Sequence, residues 1–352
     1  MKLLMITQKV DMNDSVMGFC HAWVKKIAAQ VDTLYVITLY QGVTDLPKNV
    51  KLFSLKKEKG YPRFLRYILF YIHLFRVMWR VDGVFLHMCP EYFQAIYPLN
   101  FFLRKKVTLW YAHVKMSPLA AWVGARVNTV LSPSKESFLA EGKNFVSTGH
   151  GVDVEVFKPD PGFVSAPVKN LVHIGRISKI KDIDVIIKAI NHVVNVLDVT
   201  NFTLNIYGAP ARVEDDAYLA ELKQMVTDFH LEKYIIWHGE LRNTDATLVY
   251  QKADMFIRSM AKGGYGKVDL EALATAVPTV LSTPVYKEYF GDLYDDMYFL
   301  SGDYTKLAEN IVTVLNWDEG RLARFKKIAR DLVVENHNLD KLAVKIVNSF
   351  MI

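Results

Sequence analysis

The chain has 352 residues, 51% of them hydrophobic and 23% charged, enough to fill the cores of two domains of ordinary size. A formal net charge of +6 points to an anionic partner, whether a phosphate-bearing substrate, an acidic lipid or a nucleic acid. Cys20 and Cys89 are the only cysteines, which excludes a disulfide framework and a cysteine-built metal site.

The opening "MKLLMITQ" lacks a signal-peptide layout, and no run has the eighteen uncharged apolar residues of a membrane span, so a cytoplasmic setting is expected. Strands are expected at 2–7, 33–40, 50–55, 83–88, 107–113 and 129–133. "TLYVITLY" and "VTLWYAH" are nearly continuous apolar runs, as parallel strands covered on both faces require. Gly18, after "DMNDSVM", opens the first helix; it serves either as a plain helix start or to let the loop approach a ligand.

Residues 61–80, "YPRFLRYILFYIHLFRVMWR", carry Arg63, Arg66, His73, Arg76 and Arg80 within an arc of roughly 140°. The rest of that helix is aromatic and aliphatic. Two readings stand: a core helix with one solvated face, or a helix lying in the interface of an anionic membrane. So much apolar surface between the basic residues, with no known binding module, argues against nucleic acid as the partner. His113 ends "VTLWYAH", where an imidazole faces the ligand crevice of a doubly wound fold or is satisfied structurally.

"KPDPGFVSAPV", residues 158–168, reads as a linker, and a second series of strands follows at 170–175, 203–207, 234–238, 254–258, 278–282 and 297–300. The expected fold is α/β, with two doubly wound Rossmann-like domains facing a central cleft. The first spans 1–162, completed by a C-terminal helix at 336–352, and the second spans 163–335. "EDD" at 214–216 reads as the acidic first turn of a helix, since adjacent aspartates do not make an octahedral metal site.

Two stretches carry chemistry. In "HIGRISKIKDIDVIIKAI", 173–190, Arg176 and Lys181 precede an amphipathic helix at its positive end, where cations cost stability unless an anion lies between them. Gly175 lets backbone approach that anion, and the lack of GxGxxG disfavours a dinucleotide. In "AKGGYGKVDLEALATAVPTVLST", 261–283, Gly263, Gly264, Tyr265 and Gly266 form a permissive loop before a helix from Lys267. Glu271 sits among small apolar neighbours, and Val268 rules out a capping box in which it would take part. It is either a helix-dipole partner or an acceptor for vicinal hydroxyls such as those of a ribose, with Lys267 and the glycine amides facing adjacent phosphates.

These stretches, with "GHGVDVEVFKP" (149–159) and "IYGAP" (206–210), resemble the donor-binding half of GT-B retaining glycosyltransferases of group 1, family 4. The resemblance is specific over roughly 145–285 and architectural before that. It implies a hexosyltransferase-type enzyme that takes a UDP- or GDP-linked sugar, with no metal or other cofactor, and passes it to a glycan or lipid-linked acceptor. It also implies that Arg176 and Lys181 hold the diphosphate, that Glu271 holds the ribose and that His113 meets the donor sugar. Gly263 stands where the family has the first glutamate of a pair, so the pattern is incomplete. A nucleotide-sugar epimerase on the same scaffold, or a degenerate transferase that only binds, are the alternatives.

Overall fold

A computed structural model describes residues 1–112, 117–134, 144–260 and 264–351. The chain divides into two compact units: Met1–Asp153 with Arg242–Thr244 and Asn336–Ile352, and Val154–Leu241 with Asp245–Glu335.

The first unit is built on a parallel sheet of β1 (Lys2–Val10), β2 (Thr33–Gln41), β3 (Val50–Ser54), β4 (Gly83–His87), β5 (Lys106–Trp110), β6 (Thr129–Ser132) and β7 (Phe145–Ser147). Their order is β3-β2-β1-β4-β5-β6-β7. Consecutive Leu3, Leu4, Met5 and Ile6 are all buried because both faces are covered. On one face Leu4 and Ile6 pack with side chains of α2 (Arg63–Met78), α3 (Glu91–Leu103) and α4 (Pro118–Gly124). On the other, Leu3 and Met5 meet Trp23, Val24 and Ile27 of α1 (Phe19–Ala28) together with Leu342, Ile346 and Val347 of the helix Leu339–Asn348. Strand β7 went unread because its three residues are too short for a pattern.

The second unit alternates strand and helix: β8 (Lys169–Ile174), α5 (Ile183–Asn195), β9 (Phe202–Tyr207), α6 (Val213–Asp228), β10 (Ile235–Gly239), α7 (Asn243–Gln251), β11 (Met255–Arg258), α8 (Lys267–Ala274) and β12 (Thr279–Leu281). The parallel order is β10-β9-β8-β11-β12. The expected strand at 297–300 is not one: Tyr298 makes a single bridge to Leu281, because the turn Tyr294–Met297 runs straight into it. Glu214, Asp215 and Asp216 do occupy the first turn of α6.

Each sheet has one topological switch point, where successive strands depart to opposite sides: between β1 and β4 in the first unit and between β8 and β11 in the second. Ligands of doubly wound sheets bind outside the C-terminal strand ends at such points.

Helix α2 is not an ordinary core helix. It buries Phe70, Leu74, Val77 and Met78 but leaves Phe64 63%, Ile68 52%, Phe75 54% and Trp79 65% exposed. Its outward surface therefore divides into an apolar half and a basic half. Among the described residues no helix is long and apolar enough to cross a membrane.

Candidate functional site

The loop after β8 is held by its neighbour. Gly175 N–H donates to the Tyr207 carbonyl (2.9 Å) and Ile177 N–H to that of Ala209 (3.1 Å). Gly208 has φ +151°, and a Cβ there would lie 1.8 Å from the Gly175 oxygen, so the glycine of "IYGAP" is what lets the two loops meet. This fixes Arg176 as an exposed side chain. A 3₁₀ turn, Lys179–Lys181, leads to Asp182, whose left-handed φ of +45° turns the chain into α5. The Asp182 carboxylate accepts hydrogen bonds from Ser301 Oγ (2.8 Å) and Ser259 Oγ (3.4 Å), tying the turn to the end of β11 and to the segment after Tyr298.

Lys181 is half-buried, its Nζ donating to Met260 Sδ at 3.5 Å. Among the described residues neither Arg176 nor Lys181 has a carboxylate within ion-pair distance. Burial, then the Arg258 and Arg176 guanidiniums, bring the Lys181 ammonium down to about 8 against the partial support of Asp269.

The loop after β11 is anchored by a buried ion pair between Arg258 Nη1 and Asp269 Oδ2. Asp269 also accepts from Gly266 N–H (3.2 Å) and the Tyr286 hydroxyl (3.4 Å), while Arg258 Nη2 reaches Met260 Sδ at 2.8 Å. Removing one partner of such a pair costs about 3–5 kcal/mol, so it locks the loop rigidly. Gly266 is required here: a Cβ would lie 2.3 Å from Arg258 Nη1. Asp269, not Glu271, thus caps the amide at the start of α8. Glu271 is buried, with Lys267 Nζ 3.1 Å from Oε1. Burial raises its carboxyl above the usual range, and Lys267 opposes the rise. Lys267 is therefore committed to Glu271 rather than pointing free toward a phosphate.

His173 lies beneath these loops. Its Nδ1–H donates to the Ile257 carbonyl (3.0 Å), while Nε2 is buried without a hydrogen-bond partner near Gly175. Burial carries the imidazole down to about 4, so it is neutral. The N-terminus of α5 is already occupied, because Asp184 N–H donates to the Tyr218 hydroxyl at 3.3 Å. An anion at this switch point would thus be held by the side-chain cations and loop amides, not by the open helix end expected from the sequence.

The fold brings Gly175, Arg176, Lys181, Gly264, Tyr265 and Gly266 to the two loops at the β8/β11 switch point, and Lys267 and Glu271 to the start of α8 beside them. Tyr265 packs edge-on against Tyr286 (5.4 Å), and a Cβ at Gly264 would meet nothing within 4 Å. Gly18 belongs to the first unit, at the N-cap of α1, where a Cβ would lie 2.5 Å from the Asp14 carbonyl oxygen and 2.6 Å from the Asn243 Cβ. His113 and Gly263 lie outside the described residues. Arg258, Asp269, Asp182 and His173 were not recognised from the sequence; an arginine ending an apolar strand and an aspartate opening the next helix were the available signals. Among the described residues no group of three or more His, Cys, Asp or Glu could hold a metal ion.

Residues 168–316 match the family model described as glycosyl transferases group 1. Alpha-monoglucosyldiacylglycerol synthase of Streptococcus pneumoniae is 26% identical over 140 residues, 38% of this chain and 30% of that protein, so the match spans under a third of that relative's length. Anabaena HepE, solved in complex with UDP and glucose, superposes with a TM-score of 0.78 at 17% identity, over 100% of this chain and 99% of the other. Sucrose-phosphate synthase from Thermosynechococcus elongatus gives 0.79 at 14% identity, over 100% and 98%. The second unit is therefore similar to the group 1 glycosyltransferases over residues 168–316, and the chain as a whole has the GT-B fold.

Proposed function

We propose that the protein transfers a hexose from a UDP-sugar to a glycan or lipid-linked acceptor with retention of configuration and without a metal. The observation that carries this is the pair Arg176 and Lys181: two cations at a sheet switch point that have no ion-paired carboxylate among the described residues, next to Arg258, which is paired with Asp269. Such a cluster is a liability to the empty fold and an asset once a diphosphate lies in it. Glu271, buried beside Lys267, would accept hydrogen bonds from the two ribose hydroxyls. The structures of HepE with UDP and with UDP-glucose support UDP and glucose as the donor's parts.

In the reaction the bond between the anomeric carbon and the β-phosphate oxygen breaks, and its electron pair stays on that oxygen. The diphosphate gains one negative charge, so Arg176 and Lys181 bind the transition state more tightly than the ground state. The acceptor oxygen bonds to the anomeric carbon on the same face, and its proton passes to the departing phosphate oxygen. No side chain need serve as a covalent nucleophile. The first unit would supply the acceptor side, with α2 lying on the cytoplasmic leaflet through its exposed apolar half.

Calorimetric titration with UDP and GDP tests this reading. Saturable UDP binding is expected, lost in Arg176→Ala/Lys181→Ala without a fall in melting temperature; equal affinity in that variant would overturn it. Gly263, in place of the family's glutamate, favours a second reading in which the donor is bound but not transferred, and turnover separates the two.

A further inference from the structure

The first unit has a cavity of about 300 Å³ between the N-terminal turns of α2 and α3, at the C-terminal ends of β1 and β2. This is the lower end of the range for small-molecule sites, ~300–1,000 Å³. Its polar lining is Gln8, Arg63, Arg66, Tyr67, Glu91 and Tyr92. Gln8 near the end of β1 and Glu91 at the start of the helix after β4 set it beside the first unit's own switch point, where a doubly wound sheet receives a ligand.

The lining is unfinished as a protein interior. Arg66 Nε is buried with no hydrogen-bond partner among the described residues, an orphan donor of a kind folded proteins avoid. Arg63 reaches only the Tyr67 hydroxyl, at 3.3 Å. Among the described residues neither arginine is ion-paired, although Glu91 stands on the same lining. Burial, with Cys89 and Glu91 nearby, keeps the Tyr92 phenol protonated, so it offers a hydroxyl donor. Two forked cations and two phenols match a phosphate ester, and Glu91 matches a hydroxyl beside it.

What adjoins the cavity narrows the source of that phosphate. Around α2 the exposed Phe64, Ile68, Phe75 and Trp79 follow the arc of Tyr67, which lines the cavity. A phosphate site set against an uncovered aromatic face is the arrangement a bilayer presents in reverse, headgroup above acyl chains. We infer that the cavity binds the phosphate and adjacent hydroxyls of an anionic glycerophospholipid headgroup, presented by a membrane on which α2 lies. The inference rests on the proposed function in taking the first unit as the acceptor side.

Co-sedimentation of the full chain with phosphatidylcholine vesicles, with and without phosphatidylglycerol, tests it. Salt at about 0.5 M leaves a Debye length of only ~4 Å and removes diffuse surface attraction. There the protein should still prefer phosphatidylglycerol; Arg63→Gln/Arg66→Gln should lose at least about tenfold of that preference, and Arg76→Gln/Arg80→Gln, charges in the last turn of the same helix and just beyond it that do not line the cavity, should keep it. Arg63 is exposed, so Arg63→Gln alone, expected to lose at least about threefold, serves if the double variant does not fold. Equal losses in both arginine pairs, or no preference at this salt, would overturn the inference. So would soluble glycerol phosphate binding as tightly as the vesicles, since the ligand would then need no bilayer. UDP titration of the same samples separates the readings: vesicle preference without UDP binding sinks the transferase and leaves this site, and the reverse sinks only this site.

Discussion

Raising the pH from 7 to 9 should weaken UDP binding about tenfold. The Lys181 ammonium of the free protein titrates at about 8. It is therefore ~90% charged at pH 7 and ~10% charged at pH 9, and a bound diphosphate would hold it charged throughout. The terminal phosphate of UDP loses its second proton near ~6, so the ligand hardly changes over this window. A tenfold change corresponds to ~1.4 kcal/mol. The stability of the empty fold runs the other way. The folded ammonium titrates below its ordinary 10.5, so its burial destabilises the fold fully below about 8, and the penalty fades as the pH climbs from about 8 to 10.5. Calorimetry at both pH values, in two buffers of different ionisation enthalpy, measures affinity and proton uptake together. About 0.9 proton should be taken up per UDP at pH 9. Constant affinity from pH 7 to 9 would refute the reasoning, as would the same tenfold loss in Lys181→Met.

Other outcomes follow from the same geometry. Arg176→Ala should cost roughly 1.5–3 kcal/mol of UDP affinity, read by calorimetry, and leave the melting temperature unmoved because the side chain is exposed and unpaired. Glu271→Gln should lower UDP affinity about tenfold while shifting the melting temperature by less than ~4 °C, since a raised carboxyl contributes little to the fold as an anion; a purely thermal effect would remove Glu271 from the ribose. Gly266→Ala should destabilise by about 1–3 kcal/mol in urea unfolding, because its methyl displaces the Arg258 guanidinium, whereas Gly264→Ala should be neutral.

The sheets were legible because their strands are apolar runs covered on both faces, of which Leu3 to Ile6 is the clearest case. What failed was short or single-bridged: β7, and the segment around Tyr298, where apolar residues pack without pairing as a strand. In the site, Arg176 and Lys181 stood out because cations before an amphipathic helix oppose its dipole. Their structural support was hidden, since Arg258 and Asp269 meet only when β11 and α8 fold back on each other, eleven positions apart. Tyr218 closing the end of α5 was equally invisible, its partner Asp184 lying 34 residues away. The helix 61–80 was legible as basic and aromatic, but the same composition serves a core or a membrane, and that Phe64, Ile68, Phe75 and Trp79 are exposed could be seen only in the structure.

The central claim is that a sugar leaves UDP in this protein and keeps its configuration. Proton NMR of the protein with UDP-glucose and phosphatidylglycerol vesicles carrying a lipid acceptor observes both events in one tube. Free UDP should accumulate in step with a new α-anomeric signal, and Arg176→Ala should slow both together. Donor binding with no UDP released would contradict transfer, and a β-anomeric product would contradict retention.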